Sequence, residues 1–539
     1  MINIEHLTIG QCFSLAAELY EENSFLVIPQ DNTRAYYPEG LELNYLEAAN
    51  IVTGYKQTLN AAGYGHGHRV AVLLGNRPEM LLLKLALNSL GISWVPLNPD
   101  YRAAEAAYVL QDSGTDLAIT VEPLQEQLSA AITATSRNVP TGQLQGSSLN
   151  IPTAQSKAPH EGPVTPQSEA SLLYTSGTTG KPKGCILGHE YELMQGEWYC
   201  SRGGKFTLRD GEERIYNPLP LFHINAAVLH LFGSIVSGNC QIIPERFSRS
   251  RWWPEIRATR ATGMHYLGVV IPALMNDPEA ADDKNHQLRW GLGAGVEPTL
   301  HGQFEERFGV PLVEVWGMTE MCRILTNCHE PRQINTRAMG TPQPGLDIRV
   351  VNEHDRDVPV GEPGEMLIRH SLETPRRGAF SGYLNLPEAT EEAWRGGWFH
   401  TGDTVFQDTQ GMLYFVDRKK NIIRRSGENI AAAEVEACLQ AHPQVAQIAV
   451  ISVQDEMRDE EVMACITVNE GARDQSQAKI LFEHAMTELS YYKAPGWIVF
   501  LDSIPVTGTQ KIQKHAIFSQ NSDPREHSAA FDFRELKKR

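Results

Sequence analysis

From about residue 40 to residue 120, short apolar runs alternate with stretches whose apolar positions recur every three or four residues. That rhythm is the one a parallel sheet with intervening helices requires, so the predicted class is α/β. Arg69 to Gly75, RVAVLLG, is an apolar run of strand length and predicts a buried strand. Asn76-Arg77-Pro78-Glu79 turns the chain into an amphipathic helix from Met80 to Leu90. Gly91 ends that helix, and Ser93 to Leu97 reads as the next strand before Asn98-Pro99. Between 121 and 168 Ser, Thr, Gln, Pro and Ala dominate and aromatic residues are absent, which predicts a weakly packed connector. Near the end, a helix from Ala432 to Ala441 and strands from Ile448 to Val453 and Val462 to Val468 resume the alternation. Beyond about Gln520 the sequence reads as a polar tail.

A length of 539 residues suggests two to four domains. The 42% hydrophobic and 21% charged shares are those of a soluble globular protein, and no apolar run approaches the length of a membrane span. The N-terminus lacks a basic region followed by an apolar block, so a cytoplasmic location is expected. A formal charge of −18 argues against nucleic acid or a membrane surface as partner, since both are polyanions. Anionic ligands then need local basic pockets. The eight cysteines show no CxxC pair, which fits reduced, buried thiols; Cys322 and Cys328 read as structural or pocket-lining.

One stretch carries more than scaffold. In Ser171 to Gly184, SLLYTSGTTGKPKG, an apolar lead-in delivers the chain into a loop of Ser, Thr, Gly, Lys and Pro. Gly177, Gly180 and Gly184 let the backbone fold tightly and aim N–H groups at an anion. Thr175, Ser176, Thr178 and Thr179 add hydroxyl donors, and Lys181 and Lys183 supply positive charge for a polyphosphate. The P-loop ATPase pattern is not met, because Pro182 follows Gly180-Lys181. The stretch resembles the signature loop of the adenylate-forming superfamily, which includes acyl-CoA synthetases, carrier-protein-loading adenylation domains and beetle luciferases.

Further stretches match that family in its order. In Tyr216 to Ala227, YNPLPLFHINAA, His223 is either a satisfied core residue or, by the resemblance, a border of the acyl pocket. Trp290 to Glu297, WGLGAGVE, puts small residues where an adenine ring can lie against backbone, and the resemblance assigns Gly293, Ala294 and Gly295 to that wall. In Val313 to Glu320, VEVWGMTE, it assigns Glu314, Val315, Trp316, Gly317 and Met318 to ATP binding, Thr319 to the α-phosphate and Glu320 to Mg²⁺. A hard cation wants carboxylate and phosphate oxygens together. Trp316 stands where the family more often has Tyr, so a hydroxyl is lost. Asp403, ending GWFHTGD, matches the ribose-binding carboxylate, since one carboxylate can accept from two adjacent hydroxyls; alone it reads as a turn cap.

In Tyr414 to Asn429, YFVDRKKNIIRRSGEN, Asp417 matches the hinge and Arg418 a second ribose contact. Lys419, Lys420, Arg424 and Arg425 form either a solvated face or contacts to CoA phosphates. The resemblance assigns Arg425, Ser426, Gly427 and Glu428 to CoA, around a loop that shapes the pantetheine tunnel. Ile504 to Lys514, IPVTGTQKIQK, resembles the closing motif whose lysine, here Lys511, reaches the active site during adenylation. Gln510 stands where Gly is usual. The stretch RDEEVMACITVNEG from Arg458 resembles the crotonobetaine/carnitine-CoA ligase branch.

The resemblance implies a large N-terminal domain of α/β subdomains over 1–416, a small mobile α+β domain over 417–520 hinged at Asp417, and a tail over 521–539. It implies ATP, Mg²⁺ and coenzyme A, with a small carboxylic acid as the second substrate, and it leaves a homodimer open. Lys511, Thr319, Glu320 and His223 form the expected catalytic set, with Lys183 and Thr175 to Gly180 on the phosphates. His223, Asn225, Gly268, Gly291, Met318 and Arg323 form the expected acyl pocket, Arg323 meeting either a second acidic group or solvent. The runner-up to a CoA ligase is an enzyme that loads a carrier protein; a nucleotide-binding homologue without activity is the third reading.

Overall fold

The RVAVLLG run becomes the strand Arg69–Leu73, whose residues from Val70 onward are buried, and Pro78–Ser89 follows it as a helix with proline in its first turn. The computed structural model describes all residues except 176–181, 419–420, 426–427, 456–457, 470, 472, 490, 507–511, 520–521 and 538–539. Contacts divide the chain into two units, Met1–Ile348 with Ile368–Phe399, and Arg349–Leu367 with His400–Arg539. That boundary falls at 399/400, so Asp417 and residues 400–416 lie inside the second unit, whereas the sequence reading ends its large domain at 416.

The first unit contains two eight-stranded sheets. In one, Glu169–Thr175, Ser93–Pro96, Arg69–Leu73, Leu117–Thr120 and Thr141–Gln145 run parallel, and Lys183–Gly188 pairs antiparallel with Glu169–Thr175. The strand that leads into the phosphate loop and the strand that leaves it are therefore neighbours. Residues 121–150 correct the expectation of a loose connector. Gln125–Thr133 is a helix that buries Leu128 and Ala131, and Thr141–Gln145 extends the sheet beside Leu117–Thr120. Its apolar residues are few, but they fall at helical spacing on the helix and at alternate positions on the strand, which suffices to bury one face. Residues 151–168 carry no helix or strand.

In the other sheet Leu312–Met318, Trp290–Ala294, Gly263–Leu267, Arg214–Tyr216, Cys240–Ile242 and Ser24–Ile28 run parallel, with antiparallel strands at both edges. Met264, Tyr266, Phe304, Phe308 and Leu312 belong to its core. The helix Pro298–Phe308 is tied to the start of Leu312–Met318 by Glu305. Burial opposes the charge on that carboxyl. Hydrogen bonds from Arg332 at 2.8 and 2.9 Å, from His301 and from the Leu312 N–H outweigh burial and hold it at about 2.

In the second unit Glu428–Ala431, Ile422–Arg425, Asp459–Val468, Trp497–Phe500 and Ala530–Asp532 form a sheet in that order, with Val445–Asp455 paired to Asp459–Val468. The helices Ala432–Gln440 and Gln475–Glu488 bury Val435, Leu439, Leu481 and Phe482 in its core. Residues past 520 correct the expectation of a polar tail. Ala530–Asp532 is the edge strand, Phe533 packs in the core against Phe482, and the buried Lys537 donates to Glu461 at 2.6 Å. The seven cysteines other than Cys438 are buried, and all eight are free thiols.

Glu305 provides a test of this scaffold. Its folded value lies below the ordinary 4.5, so its stabilisation is complete above that pH and is lost as pH falls towards 2. Glu305→Gln is expected to cost about 3 kcal/mol at pH 7. Urea unfolding at a series of pH values should show the variant losing less stability than the parent between pH 5 and about 2; parallel losses would refute the assignment.

Candidate active site

Gly263–Leu267, Trp290–Ala294 and Leu312–Met318 run parallel side by side, in register at Leu267↔Ala294 and Gly293↔Glu314. Their carboxyl ends, at Gly268, Gly295 and Thr319, therefore open on one edge, where open α/β sheets take their ligands. A Cβ on Gly268 would collide with the Gly295 carbonyl, and Gly295 holds φ at +82°, so two strand ends meet main chain to main chain. Ala294 and Gly295 are exposed there, while Gly291 and Gly293 are buried among Met264, Leu312 and Tyr266.

Glu314 fixes this edge. Its buried carboxylate accepts from the Tyr266 hydroxyl at 2.6 Å, from the Gly295 N–H at 2.9 Å and from the Val296 N–H at 3.3 Å. Burial pushes the carboxyl up, while the bonds from Tyr266 and Gly295 pull it down. Its oxygens are spent on the wall, so Glu314 supports the surface that Ala294 and Gly295 expose. Val315 is half-buried, Trp316 is buried and Gly317 is exposed on the same strand.

Thr319 and Glu320 form the turn between Leu312–Met318 and Met321–Thr326, with Met318 paired to Met321. The Tyr191 hydroxyl donates to the Thr319 carbonyl at 2.8 Å. Glu320 is buried and accepts from the Tyr383 hydroxyl at 2.9 Å, and the Lys183 ammonium lies 4.7 Å over that same Tyr383 ring. Burial and the Glu320 charge push the Tyr383 phenol well up, so it remains a donor. The turn and the strand leaving the phosphate loop thus meet at one aromatic ring. Among the described residues no three His, Cys, Asp or Glu side chains gather as a metal site. The Glu320 carboxylate suits a Mg²⁺ ion, a hard cation that takes one or two carboxylates alongside phosphate oxygens. The expected phosphate contacts Ser176, Gly177, Thr178, Thr179 and Gly180 lie outside the described residues, as does Lys511; Thr175 ends the described part of its strand.

His223 is exposed, which corrects its reading as a core residue, and its ring packs against Phe222. Two residues on, Asn225 begins a π-helical turn, Asn225–His230, a feature often found at functional sites. The Asn225 amide oxygen lies 2.8 Å from His265 Nδ1 and accepts from Asn217 at 3.0 Å. His265 Nε2 in turn lies 2.8 Å from the Tyr199 hydroxyl, and the His230 ring stacks on His265 at 5.0 Å. Burial pushes His265 down to about 3 and His230 well down, so both rings are neutral and serve to orient Asn225. Met318 is half-buried. Arg323 is buried rather than directed to solvent.

In the second unit Asp403 and Arg418 face each other across Phe399–Gln407 and Leu413–Arg418, and Arg418 Nε lies 2.7 Å from Asp403 Oδ1. Asp403 is buried while the Arg418 side chain is 48% exposed. Asp417 is buried and accepts from the Arg418 N–H at 2.7 Å, from Asn421 at 3.1 Å and from the Ala433 N–H at 2.9 Å, tying its strand to the Ala432–Gln440 helix. The CoA assignment of Arg425 is corrected: the residue is 2% exposed and donates to Glu461 at 2.7 Å. Ser426, Gly427 and the Glu428 side chain lie outside the described residues.

Sequence reading placed Tyr266 in a pocket wall but missed Tyr383 and the pair His230 and His265. The histidines alone carried a readable signal, two ring-bearing polar residues inside apolar runs. Tyr383 lies in Ser381 to Asn385, which pattern marks only as a turn.

A family model described as AMP-binding enzyme matches residues 29–384, and one described as AMP-binding enzyme C-terminal domain matches residues 434–511. The crotonobetaine/carnitine–CoA ligase of Salmonella arizonae is 29% identical over 492 residues, which span 88% of this chain and 93% of that one. The sulfoacetate–CoA ligase of Cupriavidus necator is 30% identical over 512 residues, 94% of this chain and 96% of that one. The o-succinylbenzoate CoA synthetase of Bacillus subtilis, solved with an acyl-adenylate, shares the fold with a TM-score of 0.79 at 24% identity, over 95% of this chain and 98% of that one. The chain belongs to the AMP-binding enzymes, the adenylate-forming family, as an ATP-dependent acid–thiol ligase of the acyl-CoA synthetase type.

Proposed function

We propose that this ligase activates a short polar carboxylic acid and passes the acyl group to CoA. The observation that carries the reading is the meeting of Glu320, Tyr383 and Lys183 beside the exposed Ala294 and Gly295 strand end. The relatives named for crotonobetaine/carnitine and for sulfoacetate support a short polar acid.

In the first half-reaction a carboxylate oxygen of the acid attacks the α-phosphorus of ATP. The bond to the bridging β-phosphate oxygen breaks, and pyrophosphate leaves. Both reactants are anions, so positioning and charge stabilisation carry the rate. The reading assigns the adenine to Ala294 and Gly295, the β- and γ-phosphates to Lys183 and the 175–180 loop, and the ribose hydroxyls to Asp403 and Arg418. Thr319 and Lys511 stabilise charge on the α-phosphate. Mg²⁺ held at Glu320 supplies neutralisation of phosphate charge when bound. Asn225, with its amide oxygen fixed by His265 and Asn217, presents its NH₂ group to the acid. In the second half-reaction the CoA thiol attacks the acyl carbon. The bond from that carbon to the AMP oxygen breaks, AMP leaves and the thiol proton passes to water.

Lys511 serves the first half-reaction and the 426–429 loop the second, so the C-terminal segment exchanges between them by rotation about Asp417. Lys511→Ala is expected to slow acyl-AMP formation by about a hundredfold or more and largely to spare thioester formation from supplied acyl-AMP. Single-turnover assays of each half-reaction check this, and equal losses in both would refute the division. Pyrophosphate release across a panel of short acids tests the reading itself. Offering CoA or a phosphopantetheinylated carrier to the adenylate then separates the two acceptors. No release with any acid would leave a nucleotide-binding protein without ligase activity.

A further inference from the structure

Arg323 is 7% exposed and lies in Met321–Thr326, the strand that follows the Thr319 and Glu320 turn. Its Nη1 donates to the Arg377 carbonyl at 2.7 Å, and its guanidinium lies 5.5 Å over the Trp198 ring. Among the described residues it forms no ion pair with a carboxylate. Beside it stand the Cys322 thiol, further cations and an imidazole. Arg202 sits 3.4 Å over the same Trp198 ring, and Arg377 and His370 lie close enough to act on each other's charge. Burial first, then Arg377, pulls the Arg323 guanidinium down from its ordinary value. Glu190 and Glu197, the carboxylates that act on it, are both exposed. A buried charge is normally paired, and removing one partner of such a pair is costly. An unpaired one with like-charged neighbours marks a place for a ligand anion.

The geometry brings a second nitrogen close to Arg323. Gly345 sits against both donors: an atom in the position of its missing Cβ would lie 3.5 Å from His370 Nε2 and 3.7 Å from Arg323 Nε. His370 Nδ1 is engaged by the Thr374 hydroxyl at 2.7 Å, which leaves Nε2 beside Gly345 without a hydrogen bond among the described residues. A nitrogen from within Met321–Thr326 and one from just past the end of Gly364–Arg369 thus stand beside the same bare glycine backbone. Four residues separate Arg323 from Thr319, a backbone span of at most about 14 Å, which a long arginine side chain and a short acyl chain bridge together.

We propose that Arg323 and His370 form a second anion subsite, and that the acid this ligase activates carries a second acidic group, a carboxylate or sulfonate, which Arg323 binds. This rests on the acyl-CoA synthetase reading and names its substrate class. The same chemistry would suit a CoA phosphate, so the assay separates the two sources.

The test measures pyrophosphate release and thioester formation by the full-length enzyme with succinate and sulfoacetate, against succinamate and butyrate. The expected result is a preference for the dianions of roughly tenfold or more in kcat/KM. Arg323→Gln should collapse that preference to near unity, mainly through the KM for the acid, and Arg323→Lys should restore part of it. The KM for CoA should stay within about twofold of the parent, a change of under half a kcal/mol. An unchanged preference in Arg323→Gln, or a rise confined to the KM for CoA, would overturn the subsite. If Arg323→Gln fails to fold, the parent alone decides, because equal use of succinate and succinamate also overturns it. Pyrophosphate release with neutral acids alone would sink this inference and leave the ligase reading standing; none with any acid would sink the ligase reading.

Discussion

The ligand edge depends on three neighbouring strand ends being held a backbone's width apart, and one buried carboxylate holds them. Glu314 sits on the last of the three strands and takes hydrogen bonds from Tyr266 on the first and from the turn after the second. Desolvating a carboxylate is unfavourable unless its lone pairs are filled, and here three donors fill them. The arrangement is mutual. Without Glu314 the Gly295 and Val296 N–H groups would lose their acceptor, and without the Gly268 and Gly295 contact the strand ends would stand too far apart for one side chain to reach both. The position of the exposed wall is thus set by a carboxylate whose lone pairs are filled from within the protein.

Charge poses the opposite problem. A chain with 65 acidic and 47 basic residues has to attract anions, and it does so locally rather than by its overall field. Many of its arginines are committed to carboxylates: Arg69 to Glu169, Arg332 to Glu305, Arg425 to Glu461. Such pairs fix elements to one another and offer little to a ligand. Lys183 over Tyr383 and Arg323 over Trp198 differ, since each lies on an aromatic face rather than against a carboxylate. A cation on a ring is held in place with less of its charge neutralised, which keeps it available to an incoming anion.

What the chain's pattern revealed, and what it hid, follows from the range of the interactions involved. RVAVLLG and the Pro78–Ser89 helix were legible because burial on both faces writes a continuous apolar run and helix starts carry local signals. The hairpin bearing Thr319 and Glu320 was found from its motif, yet Tyr383, which engages Glu320 from 63 residues away, left no local trace. Residues 121–150 were misread because a helix needing only Leu128 and Ala131 for its buried face looks polar overall. The last twenty residues were misread for a related reason. Phe531 and Phe533 are the two aromatics of a charged stretch, and only the place of Phe533 against Phe482 makes it core.

The same C-terminal residues explain why Arg425 was misassigned. Glu461 is buried between two cations, accepting from Arg425 Nε at 2.7 Å and from Lys537 Nζ at 2.6 Å, with the Val462 N–H on its first oxygen as well. Burial pulls Lys537 down to about 8 while Glu461 pulls it back up, so the triad keeps its proton there at neutral pH. A group of one carboxylate and two cations is costly to desolvate, and it holds only while all three members are present. The chain's final turn therefore anchors the strand Ile422–Arg425 through Glu461, although 112 residues separate Arg425 from Lys537 in the sequence. A run of basic residues read from sequence as a solvated face or a phosphate contact has given its last member to the fold.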